Sequence, residues 1–202
     1  EQLAALRAIP NLNVMRPADS VECAECWDIA LKSKSTTTIM TLTRQGLPHQ
    51  PRTAEQVENI SRGGYVLNRV DGTPDAIIIA TGSEVALAVE AATGLSSDGV
   101  KVSVVSMPNP GLFMEQDEAY RRKVLPAGPV RVAVEAGIRF GWDRWLYGER
   151  GRREKSGFIG MHGFGASAPI EDLYAHFGIT AEATAEKVRA LIEGRWAPDT
   201  TV

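Results

Sequence analysis

Two cysteines, three histidines and no long apolar run restrict what this 202-residue sequence can do. A membrane-spanning helix needs roughly 18 to 20 consecutive apolar residues, and no stretch approaches that length. The formal net charge of −3 gives no electrostatic reason to expect nucleic acid or an anionic membrane as partner. The sequence opens on Glu1-Gln2, with no basic segment leading into an apolar one, so no signal peptide is visible. It also lacks an initiator methionine, which suggests a processed, trimmed or partial chain. Cys23 and Cys26 form a lone C-x-x-C. A zinc site would need two further ligands, and His49, His162 and His176 stand at no recognisable spacing. The redox form of the motif opens a helix after a strand. Here the pair falls inside an expected helix, capped by Asp19 or Ser20 with Glu22 in its first turn. The i, i+3 spacing puts both thiols on one face with Trp27 and Ala30, read as a core face. Reduced thiols of this kind suit the cytoplasm.

What is present is ordinary for a soluble globular protein: 44% hydrophobic and 23% charged residues. Residues 12–15 form a strand candidate, and a helix over 20–34 follows, with Val21, Ala24, Trp27 and Leu31 at helical spacing. Residues 36–43 are β-branched and apolar, as a strand requires. This strand–helix–strand order implies a parallel pair, and two strands make no stable sheet alone. Residues 51–62 read as a linker with a short helix near 54–60. From residue 63 a second unit alternates strands (65–69, 76–80, 101–106, 130–134, 158–161) with helices (84–95, 116–124, 142–147, 170–177, 181–193). Residues 108–111 and 137–141 are expected to be loops. The fold class is therefore α/β: a three-layer αβα arrangement around a mostly parallel sheet, preceded by a partial α/β unit.

Few residues carry chemistry by spacing alone. Thr81-Gly82-Ser83-Glu84 lies where a strand feeds a helix, with Ser83 or Thr81 as cap, but lacks any glycine fingerprint. Gly163, Gly165 and Ala168 imitate a dinucleotide motif without the acidic residue such sites place further on. Glu135 follows a buried strand, where it could serve in acid–base chemistry or in a structural role, the latter favoured. His162 stands without a partner. Arg150, Arg152, Arg153 and Lys155 form a basic run diluted by Glu149 and Glu154, read as a solvated loop. Arg44 directly follows the 36–43 strand at its carboxyl end, where ligands of parallel sheets collect. A guanidinium there suits a bidentate grip on phosphate or carboxylate, or an equally plausible salt bridge.

Nine runs, in order, resemble transketolases: RPAD (16–19), LTRQ (42–45), RGGYVL (62–67), IATGSEV (79–85), VSVVSMP (102–108), VLP (124–126), VAVEAG (132–137), FGASAP (164–169) and FGIT (177–180). The resemblance covers nearly the whole sequence. It implies a homodimeric enzyme of the pentose phosphate pathway that depends on thiamine diphosphate and Mg²⁺ and moves a two-carbon ketol unit between ketose and aldose phosphates. By this likeness residues 1–50 are the end of a pyrimidine-binding domain of the thiamine diphosphate-binding fold, 51–62 a linker, and 63–202 the C-terminal domain. Arg44, in LTRQ, matches the arginine that holds the substrate phosphate. Glu84, Glu135 and Ser167 inherit no role. The resemblance also implies that the cofactor site and the catalytic histidines belong to upstream sequence. This chain alone is then expected to be inactive and to bind neither cofactor nor metal. The region 142–157 departs from the family in length and charge. Two alternatives stand beside this reading. One is a related thiamine enzyme, such as deoxyxylulose-phosphate synthase or a 2-oxo acid dehydrogenase β subunit; the other is a free-standing binding or assembly module.

Overall fold

The computed structural model describes residues 1–147, 155–195 and 199. The chain opens with a short helix, α1 (Gln2–Arg7), that no sequence signal announced. It leads into β1 (Leu12–Met15), α2 (Ser20–Lys32) and β2 (Thr37–Met40), and the two strands pair in parallel with Leu12 opposite Thr37 and Met15 opposite Met40. Asp19 caps α2 by accepting the Glu22 N–H at 3.1 Å. The expected strand over 36–43 is thus shorter, with residues 37–40 in register with β1.

The face of α2 also needs correction. Cys26 and Glu22 are buried, whereas Trp27 and Leu31 are exposed, so the apolar stripe does not face the core of this chain. A helical period fixes which residues share a face, not which face finds a partner. Cys26 is 1% exposed and feels the negative charge of Glu22. Burial, then Glu22, push its thiol up to about 12.

A polar stretch carries α3 (Ala54–Ile60), closed at its start by a reciprocal capping box between Thr53 and Gln56. The larger unit then builds a five-stranded sheet from β3 (Tyr65–Asn68), β4 (Ala76–Ala80), β5 (Val102–Ser106), β6 (Val130–Ile138) and β7 (Ser156–Met161). Spatial order is β3-β5-β4-β6-β7, with only β3 antiparallel. Alternation splits the run AIIIA between two cores. Ala76, Ile78 and Ala80 pack under α4 (Glu84–Ser97) and α9 (Ala181–Ile192). Ile77 and Ile79 face Phe113, Tyr120 and Trp145 of α5 (Pro110–Glu115), α6 (Glu118–Val124) and α7 (Asp143–Tyr147). A last short helix, α8 (Ile170–His176), precedes α9. This is the αβα sandwich expected from alternating strands and helices.

Two loops expected from the sequence are ordered otherwise. Residues 110–115 form a helix because Asn109 accepts the Leu112 N–H and Pro110 takes the first helical position, where its missing N–H costs nothing. Strand β6 runs on to Ile138 through Gly137, with an irregular register against β7 after Val134. The hydroxyls expected to cap α4 also act elsewhere. Ser83 donates to its neighbour Glu84, and Thr81 donates to the Arg16 carbonyl.

Candidate functional site

The carboxyl ends of the two sheets meet. Strand β1 ends at Met15, and the next residue, Arg16, is held by both its backbone and its side chain. Its N–H donates to the Pro108 carbonyl at 2.9 Å, and its carbonyl accepts the Gly82 N–H at 3.0 Å. Gly82 has φ +59°, and a Cβ there would lie 3.0 Å from the Arg16 guanidinium carbon, so the β4–α4 turn is shaped around this arginine.

In the large sheet the chain leaves β4 toward the α4 face. It leaves β6 toward the α7 face, on to β7 on the other side of the sheet, which makes the β4/β6 boundary a topological switch point. Open α/β sheets collect ligands in the crevice outside such a point. Here that crevice is filled by arginines of the first fifty residues. Arg16 donates through Nη1 to Glu84 at 2.7 Å and to Glu135 at 3.1 Å. Arg7 of α1 forms a two-pronged pair with Glu135 at 2.7 and 2.8 Å, and the Trp142 indole N–H completes the carboxylate at 2.7 Å. Tyr174 of α8 donates to Glu84 at 2.6 Å. Glu135 is only 1% exposed. Burial raises its pKa, but Arg7, Arg16 and Trp142 outweigh that and hold it below the usual carboxylate range. Burial likewise opposes the Arg16 charge, and Glu84 and Glu135 reverse it. These charges are fully paired, which makes them an interlock rather than acid–base groups.

A second interlock forms at the start of α2. Glu22, fully buried, accepts hydrogen bonds from the Ala18 N–H (2.7 Å), the Tyr65 hydroxyl (2.7 Å) and the Ser106 hydroxyl (2.5 Å). Arg52 reaches both Asp19 (2.6 Å) and Glu22 (3.3 Å). Asp19 also accepts the Gln50 N–H; against the opposing effect of burial, Arg52 and the two backbone donors keep its pKa low.

Beside the first interlock opens a cleft of about 320 Å³, lined by Leu3 and Leu6 of α1, Arg16, Pro17, Thr41–Thr43, Gly82 and Ser83. The β2 exit forms one wall. Thr41 is tied back to the Met15 carbonyl by its N–H (2.8 Å) and hydroxyl (3.2 Å). Thr43 donates to Gln45 at 2.7 Å, closing a small turn with Arg44 at its middle. Arg44 is exposed, and among the described residues no hydrogen bond or ion pair holds its guanidinium. The salt bridge left open by the sequence is therefore not formed within these residues, and the group is available to an anion.

The other candidates lie apart from the cleft. Residues 162–169, including Gly163, Gly165, Ser167 and Ala168, form an exposed loop, with Phe164 95% exposed. His162 is exposed, and His176 packs edge-on against Phe177. His49 lies 3.7 Å from Asp19. Arg150, Arg152 and Arg153, with residues 148–154 of the departing 142–157 region, lie outside the described residues, while Lys155 is exposed. Among the described residues no three His, Cys, Asp or Glu side chains group as a metal site, and no helix is long and apolar enough to cross a membrane. Sequence reasoning missed Arg7, Arg16, Glu22 and Arg52 as partners, since each pairs with residues distant in sequence, and Trp142, whose partner Glu135 is seven residues away but across a loop-like glycine stretch. The RPAD run did contain Arg16 and Asp19, but its spacing names no partner.

Comparison with known proteins matches residues 63–180 to the family described as transketolase-like TK C-terminal domain and residues 1–50 to the transketolase pyrimidine binding domain. A curated transketolase of Rhodobacter capsulatus is 53% identical over 95% of the chain, which spans 29% of that protein. The transketolase structure of Leishmania mexicana superposes with a TM-score of 0.87 at 42% identity, covering 100% of this chain and 28% of its own. A Pichia stipitis transketolase in complex with sedoheptulose 7-phosphate gives 0.84 at 36% identity, over 98% and 28%. The chain thus spans under a third of the length of these three relatives.

Proposed function

Because this chain belongs to the transketolase family, we propose that it works as part of a subunit transferring a two-carbon ketol unit between sugar phosphates. In this reading residues 1–50 close a pyrimidine-binding domain, 51–62 link it to the next, and 63–202 form the C-terminal domain. The partner is a sugar phosphate, of the kind bound in the Pichia stipitis complex. The working assembly is a homodimer, placed in the cytoplasm. When bound, thiamine diphosphate would supply the electron sink that the transfer needs. The described residues do not fit its Mg²⁺, as they group no set of acidic or imidazole ligands. In this reading cofactor and metal are held by other parts of the subunit.

What this chain's own residues contribute is orientation of the substrate. Arg44 carries the reading: an exposed guanidinium at the carboxyl end of a parallel strand, uncommitted to any partner among the described residues. Planar, permanently charged and presenting paired N–H donors, it can grip a phosphate bidentately while the sugar's far end reacts. A charge-assisted hydrogen bond of this kind contributes roughly 1.5 to 3 kcal/mol. In a complete subunit, Arg44→Ala is expected to raise KM for a phosphorylated ketose roughly 10- to 100-fold. KM for an unphosphorylated ketol should barely change. Steady-state kinetics on both substrates checks this, and equal loss on the two would make Arg44 structural.

A further inference from the structure

The interlock at Glu84 and Glu135 belongs to the large unit, far in sequence from Arg44, and no catalytic role attaches to it. Its connections nevertheless run to the β2 exit. Glu84 and Glu135 hold the Arg16 guanidinium at 2.7 and 3.1 Å. Arg16 is clamped in turn by Pro108, Thr81 and Gly82. One residue earlier, the Met15 carbonyl receives both the N–H and the hydroxyl of Thr41. Arg44 stands three residues on. Among the described residues β2 pairs only with β1. The hydrogen-bonded route that locates the β2 exit therefore passes through the exit of β1 and its arginine.

We propose that Glu84 and Glu135 are positioning residues for phosphate recognition: through Arg16 they set where Arg44 meets the substrate phosphate. This rests on the reading of Arg44 given above. It assigns the C-terminal domain a part in substrate specificity that acts through Arg16 and Arg44. The switch-point crevice, filled by an arginine instead of a ligand, becomes the joint through which one sheet aims a residue of the other. Small displacements suffice, because bidentate recognition of an anion depends on angle as well as distance.

The test is a kinetic comparison in a complete transketolase subunit carrying this sequence. Glu84→Gln removes one carboxylate charge from Arg16 while keeping the side chain's volume. It is expected to raise KM for a phosphorylated ketose about fivefold, with less than about a twofold change for an unphosphorylated ketol. In an Arg44→Ala background the same substitution should add no further phosphate-selective loss, since the two act as one unit. Tyr174→Phe removes the hydroxyl that orients Glu84 but leaves every charge in place. It should show the same selectivity at about twofold, and it decides the matter alone if Glu84→Gln does not fold. Equal effects on both substrates, or none on either, in a folded Glu84→Gln or in Tyr174→Phe would overturn the proposal while leaving Arg44's role intact. Phosphate selectivity that survives Arg44→Ala would overturn both readings.

Discussion

A carboxylate buried to 1% exposure, such as Glu135, would ordinarily take up a proton rather than stay charged. Two guanidiniums and an indole N–H reverse that preference, and the direction of the shift has a consequence for stability. A carboxylate held below its ordinary value of 4.5 in the folded chain contributes stability above that value. The contribution is lost as pH falls through the folded pKa. Asp19, held below 3.8 by Arg52 and two backbone N–H groups, acts with the same sign. Melting temperature should therefore stay level from neutral pH down to about 5 and decline below about pH 4.5. Glu135→Gln should cost roughly 3 kcal/mol at pH 7, because it leaves Arg7 without its carboxylate. It should also make the acid decline shallower, with Asp19 supplying what remains. Thermal melts of both proteins between pH 3 and 7 measure this, and an unchanged acid slope would show that Glu135 titrates alike in both states.

At the scale of elements, the connection from α3 to β3 shows how one backbone position can control a junction. Gly63 has φ +80°, and a Cβ added there would fall 2.3 Å from the Asn109 carbonyl oxygen and 2.5 Å from the Phe113 nitrogen. Both neighbours are backbone, so neither can swing aside. Gly63→Ala is expected to destabilise the fold by roughly 3 kcal/mol, from positive φ and overpacking together. Denaturant melts should show a lower midpoint with an unchanged slope. The same scale explains what the sequence disclosed. The run AIIIA, the cap at Asp19, and the alternation of strand with helix are local signals, and the elements appear where they point. Helix α5 was hidden because Pro110-Gly111 reads as a loop unless Asn109 is recognised as its cap. Trp27 and Leu31 were assigned to a core since periodicity cannot say what lies opposite a face. Arg44 was legible as a strand-end guanidinium, but its freedom from partners, and the Arg16 joint behind it, depend on contacts across 65 residues or more.

Over the whole molecule the two sheets differ in how they are supported. Strands β4 and β6 are fully paired on both edges, with helices over both faces, and their residues 76–80 and 130–135 are buried throughout. Strand β2 pairs on one edge among the described residues and is half-buried at best, beside exposed Leu42 and below a helix whose Trp27 and Leu31 are 51% and 78% exposed. A two-stranded sheet is marginal by itself. What steadies this one is attachment: the Arg7–Glu135 and Arg16–Glu84 pairs on one side and Glu22 with Tyr65 and Ser106 on the other. Opening free energies should therefore be graded across the chain, highest in β4 and β6 and lowest in β2. Amide hydrogen exchange on this chain should show the N–H groups of Ile78 and Val132 exchanging only by global unfolding. Those of Thr38 to Met40 should exchange at least about tenfold faster, through local opening. Weakening the first interlock with Glu84→Gln should widen that gap by speeding β2 while leaving β4 nearly unchanged. Uniform acceleration of both sheets would mean that they open as one cooperative unit, with the two interlocks strong enough to make a two-strand remnant as stable as the core it leans on.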